Sequence, residues 1–445
     1  MTSNAVYLPT EIIELVVDEL DIDESSDNAQ SSRAALRSCL LVSWQFHQRA
    51  SRHLFRNIEF HDVNGPIHFF RDRLLLLRRI LTTSINNYHS GIASNIRKLV
   101  ISVPLEDDEE ESDNETEHVG GEENSIASVI AKHFPPILKL IRQDAYRLEN
   151  LVIENRSDWK RCVWDLLPLD LHLAFRGLLW MPTLRRLELR NFVRVPNNLF
   201  DCIHVTHLIV EELYPMDEEL DFDESDPVLP VHEEFTFGPL EFLESDQCFP
   251  LQKIVDISPH QSSKTTKTKL LKNIKLEIHD KDHFNKVVYL LRAAYLAEDL
   301  HLNFMKLVNL QSNPFPKVNL DLFPLQKLTH LTMSFDDDLY GSSPESGPKS
   351  LKIAYSILNT RSCSIIHLTV TFKWHHGRAP NYLIYPRREH WEPFDNILAG
   401  PHYPNLCLLA LRISLQYPIS EDCRSRFKAA LPLLSASNRL DLYLM

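Results

Sequence analysis

From residue 95 onward one short apolar pattern returns along the chain: an apolar residue, two others, an apolar residue, one other, an apolar residue. Copies stand at Ile96/Leu99/Ile101, Leu148/Leu151/Ile153, Leu184/Leu187/Leu189, Val205/Leu208/Val210 and Leu271/Ile274/Leu276. Further copies follow at Leu300/Leu302, Leu328/Leu331/Met333, Ile365/Leu368/Val370, Leu406/Leu409/Leu411 and Leu440/Leu442, with a weaker one at Leu251/Ile254. Side chains alternate across a strand, so each copy reads as a strand with one buried and one exposed face. Arg186-Leu187-Glu188-Leu189-Arg190 and Asn273-Ile274-Lys275-Leu276-Glu277 show the polar face plainly. A doubly wound sheet would instead need strands apolar on both faces. Helical stretches fill the gaps, at Ser125–Arg142, Leu171–Trp180, Phe284–Tyr295 and Ser425–Leu434. Prolines at 182, 250, 324 and 404 end the preceding helix and bias the chain toward extended geometry. The recurring unit is strand, turn, helix, turn, and its apolar face can be covered only by the next unit.

This pattern resembles the strand portion of leucine-rich repeats, in degenerate form. Successive copies stand up to 46 residues apart, where regular repeats keep to about 20–29. The predicted fold is α/β: an irregular horseshoe with parallel strands on the concave face and helices outside. In that register the column before each central apolar residue runs Lys98, Asn150, Arg186, His207, Asn273, Asp299, His330, His367, Leu408, Arg439. The next exposed column runs Val100, Val152, Glu188, Ile209, Lys275, His301, Thr332, Thr369, Ala410, Asp441. From these the substrate-binding candidates are Arg186, Glu188, His207, Lys275, Asp299, His301, His330 and His367. Asp299, His330 and His367 are predicted on consecutive strands, about 4.8 Å apart. Three imidazoles and a carboxylate can bind zinc, but without a second close ligand spacing the reading is a polar ladder on a binding surface, with no metal. Cys202-x-His204-x-x-His207 is read the same way.

The first sixty residues differ in kind. Ile12, Ile13, Val16, Val17 and Leu20 recur at helical spacing behind Pro9, which a first helical turn tolerates. Ala34–Val42 follows a Ser31-Ser32 start signal, and Ser43 can cap a third helix carrying Trp44, Phe46, Ala50, Leu54 and Phe55. Three such helices bury little surface alone. The runs Leu8-Pro9-Thr10-Glu11-Ile12-Ile13, Ser38-Cys39-Leu40-Leu41-Val42-Ser43 and Arg52-His53-Leu54-Phe55-Arg56-Asn57-Ile58 together resemble an F-box, in the style of fungal F-box proteins with a leucine-rich remainder. Phe46 occupies the family's usual tryptophan position and Trp44 lies two residues early. The resemblance implies that Leu8, Pro9, Ile12, Ile13, Val16, Leu40, Val42, Trp44 and Phe46 hold the Skp adaptor, and through it a cullin ubiquitin ligase. It further implies a non-catalytic substrate receptor whose repeat face holds a protein substrate. The other reading is a protein-binding scaffold outside the ligase, its N-terminal helices capping the repeat array.

Composition narrows the remaining classes. Ten glycines in 445 residues, with no GxGxxG or P-loop, disfavour a nucleotide enzyme. No GxSxG, HExxH or zinc-deaminase pattern occurs, so no enzyme and no cofactor is expected. Seven scattered cysteines without a CxxC suit a reducing compartment. Without a leader or an apolar run of spanning length, a cytoplasmic or nuclear protein with no membrane association is expected. Of 61 acidic residues, 25 sit in two stretches without Lys or Arg, at 106–123 and 211–246, and without them the net charge of −14 becomes +11. The lysines at 264, 267, 269, 272 and 275 lack interleaved aromatics, so nucleic-acid binding is not expected. Trp374, His375, His376 and Trp391 suggest a polar pocket in a 373–393 loop or, equally, an exposed aromatic loop for protein recognition. The predicted organisation is an F-box at 1–60, a helical linker and first repeat strand at 61–103, and a disordered acidic insert at 104–124. Repeats follow at 125–210, an acidic insert at 211–246 and further repeats at 247–445.

Overall fold

The computed structural model describes residues 9–20, 29–61, 66–82, 92–103, 125–156, 162–196, 199–200, 203–215, 240–246, 270–305, 320, 322, 324–338, 348–359, 364–375, 387–415 and 421–445. Leu8, the 104–124 insert, Cys202, the weak copy at Leu251/Ile254 and His376 lie outside them. The chain divides into two compact α/β units, Met1–Val205 with Leu213–Phe235, and Thr206–Glu212 with Thr236–Met445. Both are built on parallel strands.

In the first unit, helices α1 (Thr10–Asp18), α2 (Ala29–Cys39) and α3 (Trp44–Leu54) come before any strand. Their small core is Ile13, Val17, Leu36 and Ala50, with Leu20, Cys39, Leu40, Phe46 and Leu54 packed against it. Ser43 caps α3 as its residue type predicts, its Oγ accepting the Phe46 N–H at 3.5 Å. α2 starts earlier than the Ser31-Ser32 signal suggests, and both serines lie inside it. After only Phe55 and Arg56 the chain enters strand β1 (Asn57–His61), inside the 1–60 stretch that the sequence reading assigns to the helical segment alone. Helix α4 (Ile67–Thr82), β2 (Lys98–Val103), α5 (Ile126–Asp144), β3 (Asn150–Asn155), β4 (Cys162–Val163), α6 (Leu169–Leu179) and β5 (Arg186–Val195) complete the unit. The strands run β1-β2-β3-β5, with β4 beside β5. Each central apolar residue meets its equivalent: Ile58, Leu99, Leu151 and Leu187 are paired in register. Beneath them the rings of Phe60 and Phe134 approach to 4.7 Å, and Trp164 is enclosed by Phe175, Phe192 and His172.

The second unit takes β6 (His207–Pro215) through Glu212, then β7 (Phe242–Ser245), β8 (Asn273–Ile278), α7 (Lys281–Ala293), β9 (Asp299–Phe304) and β10 (His330–Asp338). It continues with α8 (Lys349–Leu358), β11 (His367–His375), α9 (Arg388–Ala399), β12 (Leu408–Leu415), α10 (Glu421–Ala430), α11 (Pro432–Ala436) and β13 (Leu440–Leu444). Strand order follows chain order from β6 to β13. Phe304, Phe335 and Phe372 stack from strand to strand at 4.8 and 5.4 Å, an aromatic column inside the core. Pro432 splits the predicted helix 425–434 in two, because its ring cannot continue a helix already under way. The 373–393 stretch is not an exposed aromatic loop throughout. Trp374, next to last in β11, faces inward, its Nε1 donating to Ser350 Oγ at 3.1 Å, and Trp391 is buried on α9 against Phe394 and Phe427.

Candidate functional site: an apolar helical face and a polar sheet face

The helical trio keeps part of its apolar surface outside. Ile13 is enclosed in the core, while Ile12, Leu15, Val16, Leu41, Val42 and Trp44 are exposed, Leu15 by 60% and Leu41 by 89%. Pro9 is exposed at the N-cap of α1, and Leu40 and Phe46 lie half-buried at the edge of the core. The helical periodicity explains the split. Ile13 and Val17 are four residues apart and lie on the side packed in the core, whereas Ile12, Leu15 and Val16 occupy the neighbouring arc of α1. Leu41 and Val42 sit in the turn between α2 and α3, and the Trp44 ring stacks on His47 at 5.8 Å.

Polar contacts fix the angle of α1 on α3. Arg49 donates to Asp18 through Nε at 2.6 Å and through Nη2, and its Nη1 lies 3.5 Å from Glu14 Oε1. His53 Nε2 lies 2.8 Å from Asp18 Oδ1. The hydrogen bond from Arg49 holds the Asp18 carboxyl down to about 2.

The sheet face is a ladder in each unit. In the first, Lys98, Asn150 and Arg186 are register partners, as are Val100, Val152 and Glu188. Lys98 Nζ donates to Glu59 Oε1 at 3.1 Å, and Glu188 accepts from Arg186 at 2.8 Å and Arg190 at 3.0 Å. In the second, His207, Phe242, Asn273, Asp299, His330, His367 and Leu408 form one column, and Ile209, Glu244, Lys275, His301, Thr332, Thr369, Ala410 and Asp441 the next. Asp299, His330 and His367 are consecutive rungs: His330 Nδ1 lies 3.1 Å from Asp299 Oδ1, and the two imidazoles stack at 4.9 Å. His301 lies one column away, and burial together with the Lys275 charge lowers its pKa. Lys275 pairs with Glu244 at 3.3 Å and lies over the Phe242 ring, which stacks on His207. Small hydroxyl side chains at Thr332, Ser334, Thr369 and Thr371 separate this end from Asp336, Lys373 and His375.

Phe242 and Glu244 are the ladder members that sequence reading passes over, because β7 falls inside the acidic stretch 211–246. Leu240/Leu243/Ser245 carries the spacing signal, with Ser245 in place of the last apolar residue. Among the described residues, no group of three His, Cys, Asp or Glu is placed to hold a metal ion, and no helix is long and apolar enough to cross a membrane. No protein-family model matches the chain, and no curated protein matches it.

Proposed function

We propose that the chain is the substrate-recognition subunit of a Skp–cullin–F-box ubiquitin ligase. The helical trio docks the Skp adaptor, and the polar sheet face holds a protein substrate. The observation that carries this reading is that Ile12, Leu15, Val16, Leu41, Val42 and Trp44 are all exposed on a bundle whose own core is four residues with a fringe. Soluble monomers seldom leave so concentrated a set of large apolar side chains in water, and another polypeptide is the natural cover. The chain contributes no bond-making group in this reading; it accelerates transfer by holding a substrate close to a ubiquitin-loaded enzyme.

Co-expression with a Skp adaptor tests it. The full chain co-purifies in equimolar amount, and Val16→Asp combined with Pro9→Ala abolishes the complex while circular dichroism and thermal unfolding stay near the parent's. A parent chain that never retains the adaptor sinks the proposal. One observation favours the scaffold reading: α3 runs into β1 with only Phe55 and Arg56 between, as a cap built onto the first repeat would. An unbound adaptor together with retained protein ligands would support that reading.

A further inference from the structure

Among the described residues, strand β13 is hydrogen-bonded on one side only. It closes the strand order, with β12 as its single neighbour among the described residues. The Leu409 N–H donates to Arg439 O at 2.8 Å, and the Met445 N–H to Ile413 O at 2.9 Å. Successive residues of a strand point their N–H and C=O groups to opposite sides. Residues 439, 441, 443 and 445 therefore face β12, and the backbone groups of Leu440, Leu442 and Leu444 point away from the sheet. An edge of this kind is a template for another strand unless charge, proline or a bulge blunts it. β13 has no Lys, Arg or Pro, and its one charged side chain, Asp441, is engaged by the Tyr443 hydroxyl. Leu440 and Leu444 are only half-buried, and Tyr443 and Met445 are exposed.

We propose that this edge pairs with the same edge of a second copy of the chain, antiparallel about a two-fold axis through Leu442. The sequence of β13 is complementary to its own reversal. Across the axis Leu442 meets Leu442 of the second copy, and Leu440 meets Leu444, so the core faces of the two strands continue as leucine against leucine. On the other face Asp441 stands opposite Tyr443, a carboxylate opposite the phenol type it already accepts from within its own strand. Arg412, whose guanidinium lies 5.7 Å from the Tyr443 ring, adds a cation beside the incoming Asp441. No like charges face each other. The outward residues form hydrogen-bonded pairs, each exchanging two backbone bonds, and the sheet runs on through the dimer.

Sedimentation equilibrium on the full chain over a wide concentration range tests the proposal, with a reversible monomer–dimer equilibrium as the expected result. Leu444→Pro removes an outward N–H without touching the ladder to β12. The symmetry counts this loss twice, so the dissociation constant rises by about tenfold or more. Tyr443→Glu places two carboxylates opposite each other and gives a monomer, and adding Asp441→Lys to it restores the dimer. Should Leu444→Pro disturb folding, the exposed Tyr443 substitution and its rescue still decide. A chain that is monomeric at every concentration, or a dimer indifferent to Leu444→Pro and Tyr443→Glu, overturns the proposal. The first of these outcomes leaves the edge to an extended segment of a different protein.

Discussion

Single side chains carry more of this architecture than their positions suggest. Asp18 joins α1 to the Arg49 guanidinium and the His53 imidazole of α3, and its carboxyl is held at about 2 by the Arg49 hydrogen bond. Because the folded pKa lies below the unfolded one, the linkage stabilises the trio above about pH 4 and is lost as pH falls through 2. The pair is open to solvent, so Asp18→Asn is expected to cost about 1 kcal/mol or less, read as faster amide exchange in α1 at pH 7 and an unchanged rate, relative to the parent, near pH 2. Tyr403 acts inside the second unit. Its buried hydroxyl donates to Leu358 O at 2.7 Å, tying the last turn of α8 to the segment before β12, and burial raises its pKa. Tyr403→Phe leaves that carbonyl without its donor and is expected to lower stability by about 1–3 kcal/mol in chemical denaturation. Neither role is readable from the chain alone, because Asp18 and Tyr403 are distant in sequence from the groups they hold.

Elements were legible where their periodicity was clean. Ser125 caps α5 and Asp280 caps α7, each through its side-chain oxygen, as their residue types allow. The strands carrying three apolar positions begin two residues after the first of them, but β5, β6, β10, β11 and β12 run four to six residues past the last, and β7 is hidden by its acidic setting and α9 by Pro393 in its interior. Helix α7 also carries a pH-sensitive element. His283 is enclosed, its Nε2 has no hydrogen-bond partner among the described residues, and burial, aided by His279, lowers its pKa to about 4. A depressed histidine pKa means that the unfolded chain takes up a proton first on acidification. The second unit should therefore lose stability as pH falls from about 6.5 to 4, with no further loss from this group below that. His283→Leu is expected to flatten that part of the stability–pH curve. An unaltered slope in urea titrations at pH 7 and pH 5 would show that the imidazole is not the source.

At the scale of the whole molecule the proposed functions separate by surface. Capture of partners in cells with the proteasome blocked should show His330→Ala with His367→Ala losing a substrate while keeping the adaptor, and Pro9→Ala with Val16→Asp doing the reverse. Loss of both partners from either variant would count against two independent surfaces. The order of residues already dictates the pattern that any such surface requires: repeated strands with one apolar side, and a helical opening with more apolar residues than its core can take. These follow from periodicity, because a strand of period two and a helix of period 3.6 sort their own side chains into faces. Which groups meet depends on the folded chain as well. The adjacency of Asp299, His330 and His367 follows from the repeat spacing and holds in the register, whereas the fold alone inserts Phe242 beside His207, and the packing of α1 on α3 sends Ile13 inward and leaves Ile12 and Val16 in water. The physical reason is range: periodicity is local and can be read along the chain, whereas the contacts that the fold alone makes join residues whose separation is set by loops that carry no periodic signal.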